Sequence, residues 1–177
     1  RVEKKQFKLD TYMNYLQEEI LMLSIQRNFL FDIIAGIKKQ EYRAIKETTC
    51  SLYLLKDDKG QLILVDGTDP NIHYNLSSFN NGIFPFEVKR YKYLYLRSSQ
   101  DYSGSQALVK LDSIKSYELI SEKFSQQDVV YSEHNVGNNA IDDSLCDWTI
   151  CYNLDSVIEK KLTQQDADLY EQYLAEL

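Results

Sequence analysis

Two histidines and three cysteines are the residues that could supply nucleophilic or metal chemistry. A Ser or Cys nucleophile needs a His base and an orienting acid. His73 and His134 both lie in polar, loop-like stretches, and nothing in the linear order sets either beside a thiol. Cys50, Cys146 and Cys151 are odd in number and lack a C-x-x-C spacing, so neither a disulfide framework nor a zinc site follows from them. Asp57-Asp58 and Asp142-Asp143 are adjacent carboxylates, which is turn chemistry rather than a tuned acid/base pair. Asp142, Asp143 and Asp147 lack the alternating spacing of a calcium loop. The glycines are isolated, so no phosphate-binding loop is encoded. Trp148, the one Trp, could stack on a flat ligand, and a place in the core is its alternative. The expectation is a chain that binds or docks, with no catalytic machinery and no metal.

Composition narrows the partners. The 177 residues suit one domain with extra structure, and a hydrophobic fraction of 44% excludes whole-chain disorder. Fourteen Tyr against six Gly and two Pro point to long regular elements with half-buried strands. The net charge of −7 is concentrated in residues 101–177, and an acidic half repels phosphate backbones, so nucleic acid is not an expected partner. No apolar run approaches the ~20 residues of a membrane span, and cytoplasm is the default location.

Hydrophobic spacing predicts the elements that must position any site. Val2, Leu9, Met13, Leu16, Ile20, Leu23, Leu30, Ile34 and Ile37 follow one 3/4 spacing, interrupted by Gln6 and Arg27. That seam predicts a helical arm over 1–28 that continues into a helix over about 29–45. The arm's interface residues would be Leu9, Met13, Leu16, Ile20 and Leu23, pairing with a second copy or another protein. A single core helix of a compact bundle is the alternative, and Arg27 marks a break or polar register point. Cys50–Lys56 and Gln61–Val65 read as a hairpin whose turn uses Gly60. Pro85 demotes 83–88 to an edge strand or short helix. Tyr91–Leu96 reads as a strand with Tyr91, Tyr93 and Tyr95 on one face. Ala107–Leu111 and Val129–Tyr131 are weaker strands, Asn135–Asp143 is loop, and Leu145–Tyr152 is a further strand. Thr163 as N-cap with Asp166 three residues on opens a closing helix.

The order helix, hairpin, irregular segment, strand, loop, strand, helix resembles a divergent GAF domain. The likeness is carried by the helix from 30 with Cys50–Leu55 and the Asp57–Gly60 turn, by Gly82-Ile83 with Phe86–Arg90, by Leu94–Leu96 with Gln100-Asp101, and by Leu162–Asp166 with Leu169–Leu174. It covers most of 30–177, with a poorly matching insertion over 105–143, so the domain would be 29–177. The resemblance implies an α/β (α+β) fold: an antiparallel central sheet, N- and C-terminal helices packed on one face, and a small-molecule pocket. Of the family's cyclic-nucleotide signature, Asn153 and Asp166 stand in place, while Leu154, Leu162 and Ala167 replace its Lys, Phe and Glu. A cyclic nucleotide is therefore one ligand to test, with Trp148, Asn153 and Asp166 as the ligand-binding candidates. No Cys is followed by His, which argues against a covalent bilin. The resemblance implies a regulatory or sensory module of a larger signalling protein. The alternative is a ligand-free interaction domain of a large assembly, such as a ciliary or cytoskeletal complex.

Overall fold

The computed structural model describes residues 7–123, 142 and 144–177. The fold is mixed α and β, and the chain divides into two compact units. The first holds Arg1–Glu41, Arg90–Ser116 and Tyr152–Leu177; the second holds Tyr42–Lys89 and Tyr117–Cys151.

In the first unit, β1 (Ile20–Ser24) runs parallel to β3 (Tyr93–Arg97). Strand β3 pairs antiparallel with β4 (Gln106–Leu111), and β4 pairs with the C-terminal part of β6 (Cys146–Lys161). The sheet is thus mixed, where a wholly antiparallel one was expected. Only antiparallel neighbours can be joined by a tight turn, and β1 reaches β3 by the long connection through 25–92. Ala107–Leu111, a weak strand in the sequence, is a central one. Register places Leu21, Leu23, Leu94, Leu96, Ala107 and Val109 on one face, and Ile20, Met22, Tyr93, Tyr95 and Leu108 on the other.

The helical arm is corrected by this arrangement. Thr11–Asn14 and Gln17–Glu19 are single 3-10 turns, Ile20–Ser24 is a strand, and helix α1 covers only Arg27–Ile34. A strand covered on both faces reads as a continuous apolar run, and such a run also satisfies a 3/4 spacing. The break anticipated at Arg27 is where α1 begins. It ends because Gly36 takes φ 79°, the left-handed conformation that closes helices, while the amides of Ile37 and Lys38 donate to Asp32 O at 2.9 and 3.0 Å. The five seam residues do not share a helix face. Leu9 is buried, Met13 and Leu16 are 69% and 59% exposed, and Ile20 and Leu23 lie in β1. Val2 and Gln6 lie outside the described residues.

Residues 7–15 instead strap the tyrosine face. Leu9 packs with Tyr95 and Leu108, Tyr12 meets Tyr95 edge-on at 5.3 Å, and Tyr15 lies 4.2 Å from Tyr93. Side chains of the sheet hold the strap's backbone. Tyr95 Oη accepts from Leu9 N at 3.1 Å and donates to Gln106 Oε1, while Gln106 Nε2 donates to Phe7 O. The Glu159 carboxylate accepts from Asp10 N, Thr11 N and Thr11 Oγ1 at 3.1, 2.8 and 2.7 Å. Lys161 Nζ donates to Lys8 O. Helix α1 packs against β4, and Phe31 meets Tyr170 and Tyr173 of the closing helix at 5.2 and 5.8 Å.

Strand β2 (Gln40–Ile45), which enters the second unit at Tyr42, and β5 (Tyr117–Lys123) of that unit both pair with β6. Cys50–Tyr53, expected to be extended, is one helical turn, α2. Beyond it three short segments bridge one another in a ring: Leu54 with Val88, Lys56 with Leu62, and Leu64 with Phe86. The predicted turn is present, with Gly60 at φ 77° and Asp57 Oδ1 accepting from Lys59 N and Gln61 N at 2.9 Å. Val129–Tyr131 and most of Asn135–Asp143 lie outside the described residues. The closing helix of the chain, α3 (Gln164–Ala175), belongs to the first unit and starts as predicted: Thr163 Oγ1 accepts from Asp166 N at 3.1 Å.

Two outcomes follow. Leu23→Asp buries a carboxylate within β1 and costs about 3 kcal/mol or more, whereas Leu16→Asp stays within about 0.5 kcal/mol, measured by urea unfolding. Equal effects would restore the helical seam. Burial pushes the Glu159 carboxyl up, but its bonds to Thr11 and Asp10 outweigh that and hold it below its ordinary value. A depressed carboxyl stabilises the fold above its unfolded pKa and loses that contribution as pH falls through the folded one. Glu159→Gln therefore lowers stability by about 1 kcal/mol at pH 7 and flattens the acid limb below about pH 4, read from Tm against pH.

Candidate functional site

The three residues proposed from the sequence as ligand contacts have structural partners. Trp148, in the second unit, is 3% exposed; its indole donates to Ser78 O at 2.9 Å, and its ring meets Phe84 edge-on at 5.0 Å. It occupies the core alternative weighed above. Asn153, in the first unit, accepts from Gln40 Nε2 and donates to Lys115 O, both at 2.9 Å, tying β6 to β2 and to the turn before β5. Asp166 is 7% exposed; it accepts from Ser105 Oγ at 2.5 Å and pairs with Arg27 at 3.2 Å. Ser105 Oγ in turn accepts from Thr163 N at 3.0 Å. So Asp166 closes a buried relay that locks the start of α3 to β4 and α1, where satisfied polar groups specify one arrangement. Asn153 and Asp166 share the first unit but are held by separate partner sets.

The histidines also part. His134 lies outside the described residues. His73 lines a cleft of about 640 Å³ in the second unit, whose walls include Cys50, Leu64, Tyr74, Asn75 and Phe86. Cys50 Sγ contacts Glu47 O at 3.5 Å, and all three cysteines are buried and outside any disulfide. Asp142 is pushed up by burial but pulled below its usual value by Lys123, 2.8 Å away, and by Ser144. Among the described residues no group of three His, Cys, Asp or Glu is close enough to hold a metal. No helix among them is long and apolar enough to cross a membrane.

Sequence reasoning missed one charged cluster. Glu41, 7% exposed on β2, stands 3.9 Å from Lys38 Nζ, which also lies 5.5 Å from the centre of the Phe29 ring. Lys38 borders a pocket of about 180 Å³ with Ile33, Lys39, Asp155, Ser156 and Val157. The pairing of β4 with β6 slips here: Lys110 faces Ser156 while Leu111 faces Leu154, leaving Asp155 as an extra residue. A bulge of this kind re-aims side chains and recurs beside functional sites. Lys38 thus links a buried carboxylate to the edge of a cavity. The signal available in the sequence was Gly36-x-Lys38-x-x-Glu41 after an apolar helix, and only the helix ending at Ile34 gives that spacing meaning.

Among known proteins, no family model matches the chain, and neither a curated protein nor a solved structure matches it.

Ser105→Ala is expected to cost about 1–3 kcal/mol, because it leaves Asp166 and Thr163 N short of a partner in a buried place. Tyr173 donates to Asp32, and that bond, with burial second, pushes its pKa up to about 12. A raised group stabilises below its unfolded pKa, near 10, and the contribution is lost as pH rises through the folded value. Absorbance titration at alkaline pH should therefore show a late-ionising component, smaller by one Tyr in Tyr173→Phe.

Proposed function

We propose that this chain is a non-catalytic regulatory module that binds a small polar metabolite at the pocket beside Lys38. The observation that carries the reading is the Lys38–Glu41 pair next to that pocket. Glu41 lies 3.9 Å from the Lys38 ammonium, and the Phe29 ring centre lies 5.5 Å from it. Lys38 and Lys39 offer cations, Asp155 a carboxylate and Ser156 a hydroxyl, while Ile33, Val109 and Val157 supply apolar wall. This donor set suits a zwitterion on the scale of an amino acid or a short hydroxy acid. The volume lies below the about 300–1,000 Å³ of pockets for drug-sized ligands. Cyclic AMP and cyclic GMP, which the GAF resemblance implies, therefore enter the test as larger comparators. Occupancy would bias a two-state equilibrium of the module, in keeping with the sensory role of that family.

A thermal-shift screen of the purified chain against amino acids, hydroxy acids and both cyclic nucleotides tests the reading. The expected result is a concentration-dependent rise with one small zwitterion or acid, worth about 2.7 kcal/mol at a hundredfold excess over Kd. Lys38→Met should abolish the rise while the far-UV spectrum is unchanged. A rise that survives this variant puts the ligand elsewhere and removes the proposal.

An interaction domain is the second reading, supported by Met13 and Leu16, which present apolar side chains outward from the strap. A flat response across the whole screen, together with loss of self-association in Met13→Asp with Leu16→Asp, would favour it.

A further inference from the structure

The second unit contains a cleft larger than the Lys38 pocket, and its lining is unlike that of the pocket. Leu64, Leu76 and Phe86 make an apolar floor, the last two 7% and 5% exposed. The formal charges around it balance, with Glu47 against Lys56. The remaining polar groups are the amides of Gln61 and Asn75, the His73 imidazole and the Tyr74 phenol. Tyr74 is held in place, since its hydroxyl accepts from Asp69 N at 3.3 Å. Asn75 Oδ1 is engaged by Ser77 N and Ser78 Oγ at 3.1 and 2.9 Å, which fixes the amide plane and presents its NH2 edge.

Each feature selects a property of the ligand. Balanced charge disfavours polyphosphates, which need clustered cations. An apolar floor with the flat rings of His73 and Tyr74 favours a planar body. The Gln61 amide sets a donor beside an acceptor, the pattern that Asn and Gln read on adenine, and the Asn75 NH2 adds a donor for a ring nitrogen. At about 640 Å³ the cleft falls within the range for whole small ligands. We infer that this cleft is a binding site for a flat, uncharged heteroaromatic molecule with an amide-like hydrogen-bonding edge. It stands independently of the Lys38 pocket.

The cleft carries its own reporter. Phe86 on the floor meets Phe84 edge-on at 5.5 Å, and Phe84 meets Trp148 at 5.0 Å. A ligand that settles on Phe86 shifts the packing of Phe84, and the single indole responds. Adenine is the neutral probe and adenosine 5′-monophosphate its charged counterpart, each titrated into the full chain. Trp148 fluorescence and equilibrium dialysis are read together. The expected result is saturable adenine binding by both methods, with the monophosphate weaker. Gln61→Leu, at an exposed position on the rim, should weaken adenine about tenfold with Tm unchanged. Phe84→Leu should retain binding by dialysis while the fluorescence change shrinks. Absence of saturable adenine binding by dialysis overturns the proposal. So does tighter binding of the monophosphate, or binding indifferent to Gln61→Leu.

Discussion

A sheet that is apolar on both faces must be covered on both, and the first unit is built around that constraint. Leu21, Leu23, Leu94, Leu96, Ala107 and Val109 turn one way, while Ile20, Met22, Tyr93, Tyr95 and Leu108 turn the other. Helix α1 packs against β4. The tyrosine face is too polar at its tips for a second helix layer and is closed by a strap of extended chain and 3-10 turns. Tyr95 shows why an aromatic with a hydroxyl suits this place: its ring is fully buried, and its Oη still finds Leu9 N and Gln106. Gln106, also fully buried, spends its amide on the strap and on the loop after β3. Burying such groups without these partners would cost more than the packing returns.

Polar relays, more than apolar area, decide where the elements meet in this unit. Ser105, Thr163, Asp166 and Arg27 join β4, α3 and α1 through bonds of 2.5–3.2 Å, of which those to the Asp166 carboxylate are charge-assisted. Asn153 makes an equivalent tie between β6, β2 and the turn before β5. Positions that a family signature would assign to a ligand pocket are thus occupied by architecture. Asp166 in particular is already bonded to the Ser105 hydroxyl and the Arg27 guanidinium. The binding proposed for this chain rests instead on Lys38, which borders a cavity and pairs with Glu41, and on the amides of the second unit's cleft.

Strand β6 explains the placement of both sets. Cys146–Cys151 belong to the second unit and Tyr152–Lys161 to the first, so one strand contributes a core Trp to one and a bulged pocket edge to the other. Its two register slips against β4 fall within the first-unit part. Even alternation would have turned Asp155 and Ser156 along with their neighbours; the slip sets both at the rim beside Lys38 and Lys39.

The sequence alone determined what depends on near neighbours. The Asp57–Gly60 turn follows from a glycine that tolerates positive φ and an Asp that bonds two residues ahead. The Thr163 cap follows from a hydroxyl three residues before an amide that needs an acceptor. The strand at Tyr93–Arg97 follows from alternation, and the mixed α and β class from the sum of these local preferences. Tertiary structure decided everything that depends on what lies opposite. The run Ile20–Ser24 satisfies both a helical and a strand period, and pairing with β3 selects the strand, because it takes the backbone into a ladder and sends alternate side chains to the two faces of the sheet. The same holds for Glu41: its neighbours in the chain mark it as an ordinary surface acid, and the fold makes it a buried one answered by Lys38.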